Sequence, residues 1–138
     1  MGINSTKKVG YFPGAFDFVH AGHVWAFEEC KKYCDYLVVF LQTDPSIDRP
    51  HKHKPIMSLE ERLVMLRANK YVDAVVVYET EKELHALDQW FGDVRFMGKD
   101  HWEKCLKKKH HPIKAKVVYL PRNHNYSSSN LRERIKNA

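Results

Sequence analysis

The segment at residues 9–23 joins a strand, a glycine turn and the start of a helix, and it constrains the fold more than any other part of the chain. Residues 9–12 form an apolar run that predicts a strand, and Pro13 and Gly14 predict the turn that ends it. A helical pattern follows and continues to about Lys32. Such a unit exposes backbone N–H groups beside the positive end of a helix, which is how α/β proteins build a phosphate site.

Two histidines, His20 and His23, stand in the first turn of this predicted helix, with Gly22 between them. At a spacing of three residues their side chains lie on the same side of the helix. Two imidazoles beside a phosphate-binding turn indicate chemistry at a phosphorus atom. The alternative interpretation is a helix N-terminus that carries two solvent-facing histidines.

Apolar runs alternate with helical patterns along the rest of the chain, which predicts a Rossmann-like α/β domain spanning residues 1–138, with 1–7 as a flexible leader. We expect five strands in a mainly parallel sheet, with helices on both of its faces. The predicted strands are residues 9–12, 36–42, 74–78, 94–97 and 116–120, and the predicted helices are residues 21–32, 58–69, 82–91 and 127–137. Ser58 and Glu61 form a capping box at the start of the second helix.

Ligands bind parallel sheets of this kind at the carboxyl ends of the strands. Glycine, proline and charged residues follow four of the predicted strands. We expect them to meet at one edge of the sheet. They are Gly14, Asp44, residues 98–100 and residues 121–122.

The formal net charge of +6 and a pI near 9.2 favour an anionic partner, either nucleic acid or a nucleoside triphosphate. The lysine cluster at residues 107–109 lacks interleaved aromatic residues, so we interpret it as a solvated loop. Three cysteines without a secretion signal indicate free thiols in a reducing compartment, hence a cytoplasmic protein. No apolar run approaches the ~20 residues that a membrane-spanning helix needs.

The opening segment resembles the signature of the nucleotidyltransferase superfamily, in which a glycine, a Phe-Asp pair and a His-x-Gly-His group follow the first strand. The matching residues are Gly14, Phe16, Asp17, His20, Gly22 and His23. Within the superfamily, residues 7–136 are most similar to glycerol-3-phosphate cytidylyltransferases and their choline- and ethanolamine-phosphate relatives. The segments that carry this similarity are 34–39, 43–44, 58–62, 71–73, 96–102, 117–122 and 126–129.

The chain departs from the pattern of that family at Ala15, Lys70 and Lys99, and after Arg122. These departures cluster in loops that would face the substrates, so they leave the identity of the acceptor open. The segment 46–55 also resembles the sugar-phosphate nucleotidyltransferases of the heptose pathway, which use ATP. An adenylyl donor therefore remains an alternative to a cytidylyl donor.

The resemblance implies an enzyme that transfers CMP from CTP to a small phosphorylated alcohol resembling glycerol 3-phosphate and releases pyrophosphate. It implies Mg²⁺ as the cofactor, carried mainly by the triphosphate, and a homodimer with no nucleic-acid or membrane partner. The alternatives are an adenylyltransferase that acts on a sugar phosphate, a basic nucleic-acid-binding module, and an inactive nucleotide sensor.

The resemblance and the side-chain chemistry together indicate candidate residues for each task. The expected catalytic residues are His20, His23, Lys54 and Arg122. The expected nucleotide contacts are Phe12, Gly14, Ala15, Phe16, His20, His23, Gly98, Asp100, Arg122, Tyr126, Ser127 and Ser128. The expected acceptor contacts are Asp17, Asp44, Lys52, Lys54, Arg62 and Trp102.

Several of these residues have a plausible structural task instead. Lys52 and Lys54 are equally compatible with a solvated loop, and Arg62 with a pair to a glutamate on its own helix. Asp17 could brace the loop that contains it. Ser127 and Ser128 could cap the last helix, a role that is compatible with phosphate binding.

Overall fold

The computed structural model describes residues 7–98, 111–121 and 124–138. This part of the chain forms a five-stranded sheet in the order β3-β2-β1-β4-β5, with every neighbouring pair of strands parallel. The strands are β1 (Val9–Gly14), β2 (Tyr36–Gln42), β3 (Ala74–Tyr78), β4 (Val94–Gly98) and β5 (Lys116–Leu120). The described helices are α1 (Ala21–Cys30), α2 (Leu59–Arg67), α3 (Glu81–Asp88) and α4 (Ser128–Lys136).

Side chains of the central strands are buried on both faces of the sheet, because a helix layer covers each face. Leu37, Val39 and Leu41 of β2 belong to the core cluster that includes residues of α1 and α2. Val38 and Phe40 alternate with them and belong to the opposite cluster, which includes residues of α3. The predicted Rossmann-like α/β fold is confirmed, and the continuous apolar run of β2 reflects this burial on both sides.

The first strand continues through the turn that the sequence predicted, since β1 ends at Gly14 and Pro13 pairs with Phe40 of β2. A proline within a strand removes one N–H donor from the sheet. On its other side, β1 pairs with β4 only at Gly10 and Tyr11. Pro13 therefore lies beyond the end of the β1–β4 ladder, where a missing donor is tolerated.

The helix caps agree with the sequence pattern. Ser58 Oγ accepts a hydrogen bond from Glu61 N at 3.1 Å, and Ser58 N donates to Glu61 Oε1 at 2.9 Å, so the predicted capping box is present. Ser127 Oγ accepts from Asn130 N at 3.0 Å and caps α4. The helices begin and end within about three residues of the predicted positions, as expected for helix ends.

Arg62 of α2 is 2% exposed and donates hydrogen bonds to main-chain carbonyls of three segments. Its Nη1 atom donates to Ala15 O at 3.0 Å and to Gln42 O at 2.7 Å. Its Nη2 atom donates to Thr43 O at 2.6 Å, and its Nε atom lies within reach of the carbonyls before α2. This geometry favours a positioning role for Arg62 over the predicted contact with the acceptor.

We expect Arg62→Met to lower the free energy of unfolding by about 3 kcal/mol or more, because a buried carbonyl that loses its donor costs about 1–3 kcal/mol. Arg67→Met on the same helix is the matched control. Arg67 is exposed, so its replacement should change stability by less than about 0.5 kcal/mol. Urea denaturation measures both variants. A fully stable Arg62→Met protein with a raised KM for the acceptor would contradict the positioning role and favour the predicted contact with the acceptor.

Candidate active site

The carboxyl ends of β1, β4 and β5 meet the N-termini of α1 and α4 around a cavity of about 260 Å³. We call this the first cavity. Seven of the residues expected to contact the nucleotide line it together, although they come from four separate parts of the sequence. They are Phe12, His20, His23, Gly98, Tyr126, Ser127 and Ser128.

Backbone hydrogen bonds fix the two histidines in one orientation. Gly22 N donates to Nδ1 of His20 at 3.0 Å, and His20 N donates to Nδ1 of His23 at 3.2 Å. The two rings lie 4.0 Å apart between centroids. Because Nδ1 of each ring is an acceptor, the hydrogen of each neutral imidazole is on Nε2. The pair therefore presents two Nε2–H donors, and a phosphate oxygen accepts hydrogen bonds of this kind.

Burial is the main cause that lowers the pKa of His23 from 6.5 to about 3, and the neighbouring rings of His20 and His124 lower it further. In the free protein His23 is therefore a neutral donor near pH 7. A neutral donor avoids the cost of burying a charge before the substrate arrives. Negative charge that develops on a bound phosphate would still be stabilised by its N–H group.

Gly22 allows the third histidine of this site, His124, to pack against the pair. A Cβ atom at position 22 would lie 2.7 Å from Cε1 of His124 and 2.9 Å from Cε1 of His20. The His124 ring also contacts Trp25 and Tyr126 edge-on or tilted, at centroid distances of 5.4 and 5.5 Å. Sequence analysis missed His124, because its contacts with Gly22 and Trp25 lie about 100 residues away in the chain and no periodic pattern indicates them.

The loop after β1 contains two non-glycine residues in the left-handed region, Phe16 with φ 48° and Phe18 with φ 52°. Such conformations are costly and persist only where the surroundings hold them. Between them, the carboxylate of Asp17 accepts hydrogen bonds from Ile56 N at 2.9 Å and Met57 N at 3.0 Å. The geometry favours the interpretation that Asp17 braces the loop.

Asp17 also connects the loop to the last helix. Its carboxylate lies 3.3 Å from Nη2 of Arg132, and its carbonyl accepts from Ser128 Oγ at 3.3 Å. Phe16 is buried beside the histidines, with its ring 5.5 Å from that of His23. Phe16 therefore packs against the histidine ring and does not itself line the first cavity.

A second cavity, of about 380 Å³, lies on the α3 side of the strand ends. Gly14 and Ala15, expected to contact the nucleotide, line this cavity together with Lys52, expected to contact the acceptor. Phe12 and Gly98 line both cavities. Both cavities are therefore bounded by the ends of β1 and β4.

The remaining predicted residues lie elsewhere. Asp44 accepts hydrogen bonds from both N and Oγ of Ser46, which lower its pKa, so it shapes the loop after β2. Lys54 is exposed and is not among the residues that line either cavity. Asp100, Trp102 and Arg122 lie outside the described residues.

No group of three or more histidine, cysteine or acidic side chains within the described residues could hold a metal ion. Among the same residues, no helix is long and apolar enough to cross a membrane.

We expect His23 to stay neutral down to about pH 3, with its hydrogen on Nε2. Nitrogen chemical shifts of the imidazole measure both properties. Between pH 6.5 and 3 the unfolded chain binds a proton that the folded chain does not, so stability falls as the pH falls through this window, by at most about 1.4 kcal/mol per pH unit. His23→Gln should remove this part of the pH dependence. A His23 resonance that titrates near pH 6.5 would contradict the prediction.

Two proteins named Bifunctional protein HldE are similar to this chain. The one from Campylobacter jejuni subsp. jejuni serotype O:6 is 31% identical over 131 residues, which cover 94% of this chain and 28% of the relative. The one from Hyphomonas neptunium is 35% identical over 100 residues, which cover 72% of this chain and 21% of the relative. The chain thus spans less than a third of the length of these curated relatives.

Solved structures share the fold. A lipopolysaccharide core biosynthesis protein from Thermoplasma volcanium superposes with a TM-score of 0.68 at 24% identity, covering 86% of this chain and 99% of that protein. A bifunctional NMN adenylyltransferase/ADP ribose pyrophosphatase from Francisella tularensis superposes with a TM-score of 0.56 at 13% identity. The match covers 95% of this chain and 42% of that protein. At these identities the likeness concerns the fold alone.

A family model described as cytidylyltransferase-like matches residues 11–134, nearly the whole of the described fold and both cavities. The match confirms the predicted superfamily and the nucleotidyltransferase type of the enzyme family. The chain therefore belongs to the cytidylyltransferase-like family of nucleotidyltransferases.

Proposed function

We propose that this chain transfers AMP from ATP to a sugar phosphate and releases pyrophosphate. The observation that carries the transfer is that the cavity lined by the paired histidines shares two lining residues, Phe12 and Gly98, with a second cavity. One cavity can hold the nucleotide and the other the acceptor, so that their phosphates meet over the strand ends.

The choice of ATP and a sugar phosphate rests on the relatives named HldE, which match 94% and 72% of the chain in the two cases described. It also rests on the segment 46–55, whose sequence resembles ATP-dependent sugar-phosphate nucleotidyltransferases. These observations support the adenylyl alternative better than the expected transfer of CMP from CTP to a phosphorylated alcohol. The family name keeps CTP as the second candidate donor.

In the proposed reaction, an oxygen of the acceptor phosphate forms a bond to the α-phosphorus of the nucleotide. The bond from that phosphorus to the oxygen bridging the α- and β-phosphates breaks, and pyrophosphate leaves with this oxygen and its electron pair. The attacking oxygen is already anionic, so a general base is unnecessary. Catalysis then depends on positioning and on donors aimed at the developing charge.

The histidine pair supplies such donors from one side of the first cavity. The N-terminus of α4 supplies others, since Ser127 and Ser128 line the same cavity and a helix N-terminus attracts anions. Mg²⁺ bound to the triphosphate would neutralise further charge. Arg122 and Lys54 stay proposed contacts of the phosphates.

The expected homodimer and the cytoplasmic location stay predictions within this proposal. A nucleic-acid-binding module and an inactive nucleotide sensor are the alternatives of another class. The basic charge supports the first of them, and the departures at Ala15 and Lys99 from the family pattern support the second.

We expect pyrophosphate release with ATP and a sugar 1-phosphate, and its loss in excess chelator. The screen combines four nucleoside triphosphates with glycerol 3-phosphate, glucose 1-phosphate and a heptose 1-phosphate. The kcat/KM for ATP should exceed that for CTP by at least tenfold, about 1.4 kcal/mol. Faster turnover of CTP with glycerol 3-phosphate would return the assignment to the cytidylyl branch. Salt-dependent binding of generic DNA without turnover would favour the binding module.

We expect His23→Ala to lower kcat on the order of 10²–10³-fold with a much smaller change in KM, because the lost donor acts mainly on charge that develops during the reaction. His53→Ala is the matched control, since His53 is exposed and lines neither cavity. Steady-state kinetics on the folded variants measures the effect. An unchanged kcat would remove the histidine pair from the mechanism, and a rise in KM alone would show binding of the ground state.

A further inference from the structure

We propose that the second cavity binds the hydroxyl-bearing body of a phosphorylated sugar through Arg49, Arg95 and His111, and that these side chains determine which acceptor is used. This inference rests on the proposed function and goes beyond it, because it assigns acceptor recognition to three residues that the sequence patterns left aside. The same three side chains line the cavity on its α3 side.

A buried carboxylate holds two of these side chains in place. Asp88, at the end of α3, is 0% exposed, and its Oδ2 atom lies 2.7 Å from Nε2 of His111. Its Oδ1 atom lies 3.4 Å from Nε of Arg95 and accepts a hydrogen bond from the hydroxyl of Tyr11. Because a carboxylate only accepts hydrogen bonds, His111 carries a hydrogen on Nε2. The ring orientation of His111 and the plane of the Arg95 guanidinium are thereby fixed.

Stability alone is a weak reason for this arrangement. Taking a carboxylate and a guanidinium out of water is costly, and well-packed apolar side chains often replace a buried ion pair without loss. Here the Arg95 side chain is 10% exposed, and both it and His111 line the cavity. Arg95 also donates to Phe96 O at 2.9 Å, which fixes the other side of the guanidinium. Arg95 then offers a donor and the neutral His111 ring an acceptor at Nδ1, and such fixed polar groups at a cavity wall suit a ligand that carries both oxygens and hydroxyl groups.

Arg49 approaches the cavity from the loop after β2. Its Nη2 atom lies 2.7 Å from Oε1 of Gln42 and 2.7 Å from Oε1 of Glu81. Its Nε atom is buried and has no hydrogen-bond partner among the described residues. A buried donor without a partner is unusual in folded proteins and costs free energy. Because this atom is buried rather than exposed at the cavity, a ligand there would be bound by the other nitrogens of the Arg49 guanidinium.

The charges around the cavity suit a phosphorylated polyol. Arg49, Lys52 and Arg95 are cationic, and Glu81 is the acidic residue among the lining residues. The surplus of positive charge favours an anion, while the Glu81 carboxylate can accept hydrogen bonds from hydroxyl groups. The volume of about 380 Å³ falls in the range of small-molecule sites, about 300–1,000 Å³. Phe12 and Gly98 also line the first cavity, so an acceptor bound here would lie next to the cavity that contains the histidines.

The test separates acceptor binding from nucleotide binding. Arg49→Gln and His111→Asn remove the guanidinium and the imidazole but keep a polar amide side chain, and Arg67→Gln and His53→Asn are matched controls at exposed positions. We expect the KM for a heptose 1-phosphate or glucose 1-phosphate to rise at least tenfold in each site variant, with kcat changed less. The Kd for ATP, measured by calorimetry without acceptor, should stay within twofold. Arg49→Lys should recover part of the loss.

A binding measurement keeps the inference independent of turnover. Titrating the wild-type protein with the same sugar 1-phosphates should shift the NMR resonances of His111 and of Met97 in the cavity, and the shifts should be smaller with glycerol 3-phosphate. Sugar binding here without turnover of any nucleotide would sustain the inference and overturn the proposed function. Turnover with an unchanged acceptor KM in both site variants would overturn the inference and sustain the function. A raised Kd for ATP would instead assign the cavity to the nucleotide, and an absence of both binding and turnover would overturn both proposals.

Discussion

The hydrogen bonds of Arg62 hold together the edge of the sheet on which the whole site is built. Parallel strands end with carbonyls that the sheet itself does not pair, and here those of Gln42 and Thr43, with that of Ala15, converge on one buried guanidinium. The carboxylate of Asp17 does the reciprocal task, because it accepts from the backbone N–H groups before α2. Arg62 thus binds the carbonyl groups and Asp17 binds the N–H groups. Together they fix the loop after β1 and hold its two left-handed residues in place.

The position of the loop after β1 sets the position of the histidine pair, because the loop ends at His20. His20 is the residue that caps α1, and the backbone bonds of this cap place the hydrogens of both imidazoles on Nε2. The donors are therefore set by the backbone rather than by a partner that must move. Neutral, preorganised donors lose little when negative charge grows on a phosphate, since no reorganisation has to occur at that moment. The same local geometry explains why a side chain larger than hydrogen at Gly22 is excluded.

Local sequence patterns predicted the features that depend on neighbours along the chain. The apolar runs placed β2, β3 and β5 at their observed bounds, the Ser58 capping box is present, and the parallel topology brought distant residues to one edge. Contacts between residues far apart in sequence had no such signal. Tyr11 and Asp88 are 77 positions apart, and no periodicity links them. The task of Arg62 was missed for the same reason, since a helical arginine looks the same whether it binds substrate or main-chain carbonyls.

Under the proposed function, the placement of the two cavities allows one chemistry to serve different acceptors. The first cavity lies on the side of α1, which carries the histidines, and the second on the side of α3. If the second cavity binds the acceptor as proposed, substitutions around it can alter the acceptor without disturbing the histidine donors. Ala15, where the chain departs from the cytidylyltransferase pattern, lines the second cavity and not the first. Under the proposed function, this departure therefore lies beside the acceptor rather than beside the histidine donors.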